Sequence, residues 1–159
     1  AKAAVTRGSL RPHVLDIATP YQLAGVAWSG ARPWVMSVWA CGGGKSLGGR
    51  IASLVANDFR VAGLVCLGYP FHPVGRPTRL RTAHLATLRV PTLILQGERD
   101  RLGNQQEVAA YTLSDRIQGQ WLTDGDHDLV PRKQSGRSRQ QNWEEAVRVT
   151  AEFIHHLPL

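Results

Sequence analysis

The chain alternates between apolar runs and mixed, helix-spaced segments. "WVMSVWA", residues 34–40, is apolar and rich in β-formers, with Pro33 just before it, and predicts a buried strand. Glycines 42–44 follow, and "SLGGRIASLVAND" then reads as a helix whose small residues permit close packing. "VAGLVCLG", 61–68, is the next strand. The stretch 69–77, "YPFHPVGRP", carries three prolines and is a loop. A short helix is expected over 80–88, a buried strand over "VPTLILQG" at 90–97, and a helix over 104–113. "IQGQWLTDG", 117–125, is a shorter strand, followed by a polar loop to about Gln140. Residues 141–156 form a final helix, with Trp143, Val147, Thr150 and Ile154 on its inner face. Upstream, 13–28 has a mixed pattern that reads as a helix interrupted by Pro20.

Near-continuous apolar strands alternating with helices imply an α/β fold, a parallel sheet covered on both faces. In such sheets, function sits in the loops at the carboxyl ends of the strands. Here those loops follow residues 40, 68, 97 and 123.

Composition narrows this picture. The chain has 159 residues, 43% hydrophobic and 19% charged, which suits one globular domain. No apolar run approaches the roughly 20 residues of a membrane span, so no membrane association is expected. The first ten residues lack the apolar stretch of a secretory signal, and the chain opens on Ala rather than Met. The two cysteines, Cys41 and Cys66, are read as small buried hydrophobes, which favours a cytoplasmic setting. The formal charge of +7 raises nucleic acid as a partner. Its tight cluster, Arg132, Lys133, Arg137 and Arg139, has no interleaved aromatic, so the reading is a solvated loop and not a nucleic-acid surface.

The stretch "ACGGGKSLGG", 40–49, carries two chemical proposals. Gly44-Lys45-Ser46 ends like a phosphate-cradling P-loop, but the first glycine of that motif would fall on Trp39. The neighbouring strand also ends "LVCLGYP", with no acid to hold magnesium. Gly44-Lys45-Ser46-Leu47-Gly48 is also G-x-S-x-G, the nucleophile elbow, which presents a serine between a strand and a helix. Ser46 would stand at the helix head, with the Leu47 N–H directed at an oxyanion.

A serine hydroxyl needs a base, and that base needs an orienting acid. The third strand is followed by "QGERD", ending in Asp100, and the fourth by "DGDHD", centred on His127. Order and strand-end placement make Ser46, Asp100 and His127 a candidate catalytic triad. Glu98 is the rival acid, and Asp100 is alternatively a turn or capping residue. His127 is alternatively a loop histidine satisfied by the carboxylates around it. Lys45, Tyr69 and His72 are carried as substrate-facing candidates, although His72 fits packing better. His155 and His156 read as a solvated helix face, His84 falls in a short helix, and His13 lies near the start. No ligand spacing for a metal is present, and no cofactor is expected.

The runs "GGGKSLGGRIAS", "GLVCLGYPFHPVGRP", "LRTAHLATLRVPTLILQGERDRLG", "DGDHDLVPRK" and "AVRVTAEFIHHL" together resemble the α/β-hydrolase superfamily. More narrowly, they are similar to its dienelactone-hydrolase-related branch, which includes animal subunits of a chromatin-associated acetyltransferase complex. The resemblance covers about 34–157, within a single domain over 1–159 whose first 33 residues diverge. It implies a serine hydrolase, carboxylesterase-like, with Ser46 as nucleophile, Asp100 as acid and His127 as base. Full members have several strands before the nucleophile strand, and a glycine-rich loop there supplies a second oxyanion N–H. Residues 1–33 contain no such loop, so the expectation is an N-terminally truncated fold. Lack of one donor would cost roughly two to three orders of magnitude in rate. The same departure predicts an exposed sheet edge, covered by a partner or a second copy. Two functions follow: hydrolysis of a small acyl substrate, or a non-catalytic interaction module that keeps the fold.

Overall fold

The computed structural model describes residues 41–59 and 61–157. The strand expected at 34–40, the helix at 13–28 and the divergent first 33 residues lie outside them.

Four strands, β1 (Cys41–Lys45), β2 (Gly63–Leu67), β3 (Thr92–Gly97) and β4 (Ile117–Leu122), form one sheet in chain order. Every neighbouring pair is parallel, with Gly43 opposite Val65, Val65 opposite Leu93, and Leu93 opposite Gln118. Among the described residues three α-helices accompany them: α1 (Leu47–Val55) between β1 and β2, the single turn α2 (Gln105–Val108) between β3 and β4, and α3 (Arg139–His155) after β4.

Side chains alternate across a strand, so one sheet feeds two cores. Leu64, Cys66 and Ile94 enter a cluster with Tyr69, Phe71, Leu85 and Leu88, on the face where α1 packs. Val65, Leu93 and Leu95 enter another with Leu122, Leu129, Ala146 and Val149, on the α3 face. This is the three-layer α/β arrangement that the apolar runs predict. Among the described residues, no helix is long and apolar enough to cross a membrane.

Four local expectations need correction. Glycines 42–44, expected beyond the end of a strand at 40, are inside β1 and paired with β2, and the turn is confined to Ser46. The helix expected at 104–113 contracts to Gln105–Val108. A capping box starts it, with Asn104 accepting from the Glu107 N–H and Glu107 from the Asn104 N–H, but Val108 alone anchors it in the core. The helix at 80–88 is a 3₁₀ turn over Ala83–Thr87. The last helix begins at Arg139, capped by Ser138 and Gln141, and buries Asn142, Ala146 and Val149. Val147 and Ile154, expected on the inner face, are exposed. The face is rotated because Asn142, a polar residue, is the fully buried one.

Candidate active site

The site forms at the carboxyl edge of the sheet. Ser46 follows β1 directly, its N–H still donating to Leu67 O across β2 at 2.8 Å. Its carbonyl already accepts the first α1 bond, from the Arg50 N–H at 3.1 Å. To serve both elements, Ser46 takes φ 51° and ψ −117°, a strained backbone for a residue with a Cβ. Its hydroxyl makes no capping bond to the helix and is left for other use. The sharp turn draws α1 against β1: a Cβ on Gly44 would meet Gly48 C at 2.8 Å, and one on Gly49 would meet Gly44 O at 2.7 Å. Among the described residues nothing lies within 4 Å of a Cβ built on Gly48, so Gly49 and not the motif's last glycine meets the packing demand there. Leu47 occupies the first position of α1, where the N–H has no partner within the helix.

Asp100 lies after β3 and is fully buried. Its Oδ1 accepts from the Leu102 N–H at 2.9 Å, and its Oδ2 from Gln96 Nε2 at 2.8 Å and from His127 Nδ1 at 2.8 Å. One oxygen of Asp100 therefore serves the turn, and the other faces the imidazole. A carboxylate only accepts, so Nδ1 carries the imidazole proton and Nε2 is the free acceptor. Ser46 Oγ stands 2.9 Å from that Nε2. Hydroxyl, imidazole and carboxyl, drawn from the ends of three strands, form one hydrogen-bonded chain.

His127 belongs to the 124–131 loop, which is braced from several sides. Asp126 Oδ1 accepts from the Asp128 and Val130 N–H groups at 2.9 and 3.0 Å. Asn142 Nδ2 donates to Thr123 O at 3.1 Å and to Leu129 O at 2.8 Å. Asp124 accepts from the Arg132 N–H at 2.8 Å and from its guanidinium, and pairs with Arg99 Nε at 2.9 Å. The Arg132 side chain, aided by its N–H and by Arg99, holds the Asp124 carboxyl down at about 2. Glu98, the rival acid, accepts from the Asp124 N–H at 2.8 Å, so it fixes the loop and does not touch the imidazole. Gly68, at φ 60°, admits the loop over β2, since a Cβ there would meet His127 O at 2.8 Å.

The remaining candidates separate. Tyr69 is not substrate-facing: it is fully buried, its hydroxyl donating to Arg81 O at 3.1 Å and its ring against Phe71. His72 is not substrate-facing either, being buried with Nδ1 2.9 Å from Pro73 O and Nε2 3.4 Å from Glu107. Both fail for one reason: the loop after β2 turns inward and packs before it emerges at Val74. Lys45 is exposed and pairs with Asp128. His84 meets Ser53 Oγ at 2.8 Å, and burial, then Arg50, lower its pKa. Arg132 and Arg137 of the basic cluster are not freely solvated but paired, with Asp124 and Glu145. Burial pushes the Cys66 thiol up to about 12. Among the described residues, no group of three His, Cys, Asp or Glu side chains is placed to hold a metal ion.

A family model described as an alpha/beta hydrolase domain matches residues 28–155, most of the chain. The chain belongs to the alpha/beta hydrolase family. This hydrolase domain is similar to an alpha-beta serine hydrolase homologue from Coxiella burnetii, at 20% identity and TM-score 0.51, over 74% of this chain and 49% of that one. It is also similar to the esterase domain of a Rhodothermus marinus protein, at 20% identity and TM-score 0.45, over 60% of this chain and 54% of that one. The domain thus spans about half the length of these solved structures, and at 20% identity the likeness to the Coxiella burnetii structure is one of fold.

Residue-level reasoning missed two supports of this alpha/beta hydrolase site. Gln96 is buried in β3, takes the Tyr69 N–H at 2.7 Å on Oε1, and donates from Nε2 to Tyr69 O, Asp100 and Gly103 O. Its signal was a lone polar residue at the end of "TLILQ". Asn142 had no such signal, because a polar residue near a helix start is ordinary.

Proposed function

We propose that the protein is a serine hydrolase acting on an ester or related acyl bond of a small molecule, carboxylesterase-like, with Ser46, His127 and Asp100 as its triad. The carrying observation is the hydrogen-bonded chain from Ser46 Oγ through the imidazole to Asp100. Ser46 Oγ attacks the acyl carbon while Nε2 takes its proton. The imidazolium is stabilised by Asp100 and returns the proton to the leaving alcohol. Water repeats the cycle to release the acid. The Leu47 N–H, at the head of α1, faces the developing oxyanion. The front of the fold, where full members of the family carry a second oxyanion donor, lies outside the described residues. Within the family, the motif run supports the dienelactone-hydrolase-related branch, and the free thiols of Cys41 and Cys66 support a reducing, cytoplasmic setting. The test is turnover of short-chain p-nitrophenyl esters by the full chain. Ser46→Ala is expected to lower the rate at least about 10³-fold. Turnover equal in the two proteins would refute the reading.

A second reading is an interaction module. It is favoured by the exposed apolar stripe of Leu47, Ile51, Leu54 and Val55 on α1, continued by Phe59, beside β1 at the sheet edge. A partner or a second copy would cover that side. Under this reading neither protein turns over ester, so the same assay separates the two.

A further inference from the structure

Two polar side-chain contacts join the 124–131 loop to the nucleophile segment among the described residues: Ser46 to His127 and Lys45 to Asp128. They lie one residue apart on each side, Lys45 preceding the serine and Asp128 following the histidine. The histidine side of the site is tied to the turn after β3 by Glu98 and Arg99, and to α3 by Asn142. Among the described residues, the serine side has no comparable side-chain ties. Within the described sheet, β1 pairs with β2 alone. The Ser46–His127 bond must lengthen and re-form through a catalytic cycle, and so cannot itself keep the two segments in register.

We propose that the Lys45–Asp128 ion pair is a latch that positions Ser46 against His127. The proposal rests on the hydrolase reading above. The pair is outside the proton path, so neither side chain is catalytic; each acts by fixing the backbone of its neighbour. Lys45 closes β1, with its Cα opposite Leu67 of β2. Asp128 sits in a loop whose own amide is held by Asp126. A cross-link between two such anchored residues restrains the gap between hydroxyl and imidazole without touching either. Lys45 lowers the pKa of the Asp128 carboxyl, so the latch stays charged where an imidazole base works. Lys45 is thereby assigned a partner other than substrate, in place of the substrate-facing role expected for it.

The test is the rate at which a neutral fluorophosphonate labels Ser46 in the full-length chain, for Lys45→Met, Asp128→Asn, the double variant and the exchange Lys45→Asp with Asp128→Lys. An exposed ion pair stabilises weakly, so each single variant is expected to label about two- to fivefold more slowly. The double variant should be no slower than either single one, and the exchange should recover most of the rate. High salt should slow the wild type and leave Lys45→Met unchanged. Additive effects of the two single changes, no recovery on exchange, or a rate unmoved by either change would overturn the latch while leaving the hydrolase reading standing. A wild-type chain that takes no label at Ser46 would overturn both. Both residues are exposed, and circular dichroism of each variant confirms that a slower rate is not unfolding.

Discussion

The two halves of the site are built to different standards. On the β3–β4 side, Asp100 receives three hydrogen bonds and the His127 loop is held by Glu98, Asp126, Asn142 and the Asp124–Arg132 pair. On the β1 side, Ser46 depends on one strained turn, on the fit of Gly44 to Gly49, and on two side-chain contacts with the opposite loop. Asp100 and His127 are fixed by redundancy, so no single bond decides their place. Ser46 is fixed by backbone geometry at the edge of the described sheet. A site of this kind tolerates change on one side and is sensitive on the other, except at the atoms that touch the imidazole.

The sharpest way to break the contrast is to exchange the two acids of "GERD". Asp100→Asn keeps the shape but offers a donor where the imidazole Nδ1–H needs an acceptor, and esterase turnover is expected to fall about 10⁴-fold. Glu98→Gln keeps an acceptor for the Asp124 N–H, and turnover should stay within the same order of magnitude. Comparable losses in the two variants would show that bracing and orientation are not separable here.

A smaller effect probes the brace itself. The Asp124 carboxyl is depressed from 3.8 to about 2 by Arg132 and Arg99. A depressed carboxylate adds stability above its unfolded pKa and loses it as pH falls through the folded value. Thermal melts of the wild type and Asp124→Asn should therefore differ most near neutral pH. The gap should narrow as pH falls from 3.8 to about 2. A gap unchanged over that window would remove Asp124 from the ionic account.

What could be read from the residues follows the same division. Ser46, Asp100 and His127 each fall within five residues of a strand's carboxyl end, so strand ends and candidate site residues coincide in the one-dimensional pattern. The parallel sheet was legible for a related reason: buried strands have no polar face to confuse their period. The braces were not, because they join residues close in space for reasons only the tertiary path supplies. Asn142 reaches back to Thr123 and Leu129, and in doing so rotates α3 away from the face its apolar residues suggest. Tyr69 and His72 looked like rim residues because they follow a strand end, yet aromatic packing and the Glu107 contact draw them inward. The glycine pattern was legible as an elbow, but which glycine bears the contact depends on how α1 leans, and that put the demand on Gly49.

The proton relay is tested most directly by mapping a fluorophosphonate adduct on the full-length chain by peptide mass spectrometry. The account predicts one adduct, on Ser46, absent from Ser46→Ala and strongly diminished in His127→Ala. Adduct formation on Ser46 at an undiminished rate without the imidazole, or on another residue in its place, would contradict it.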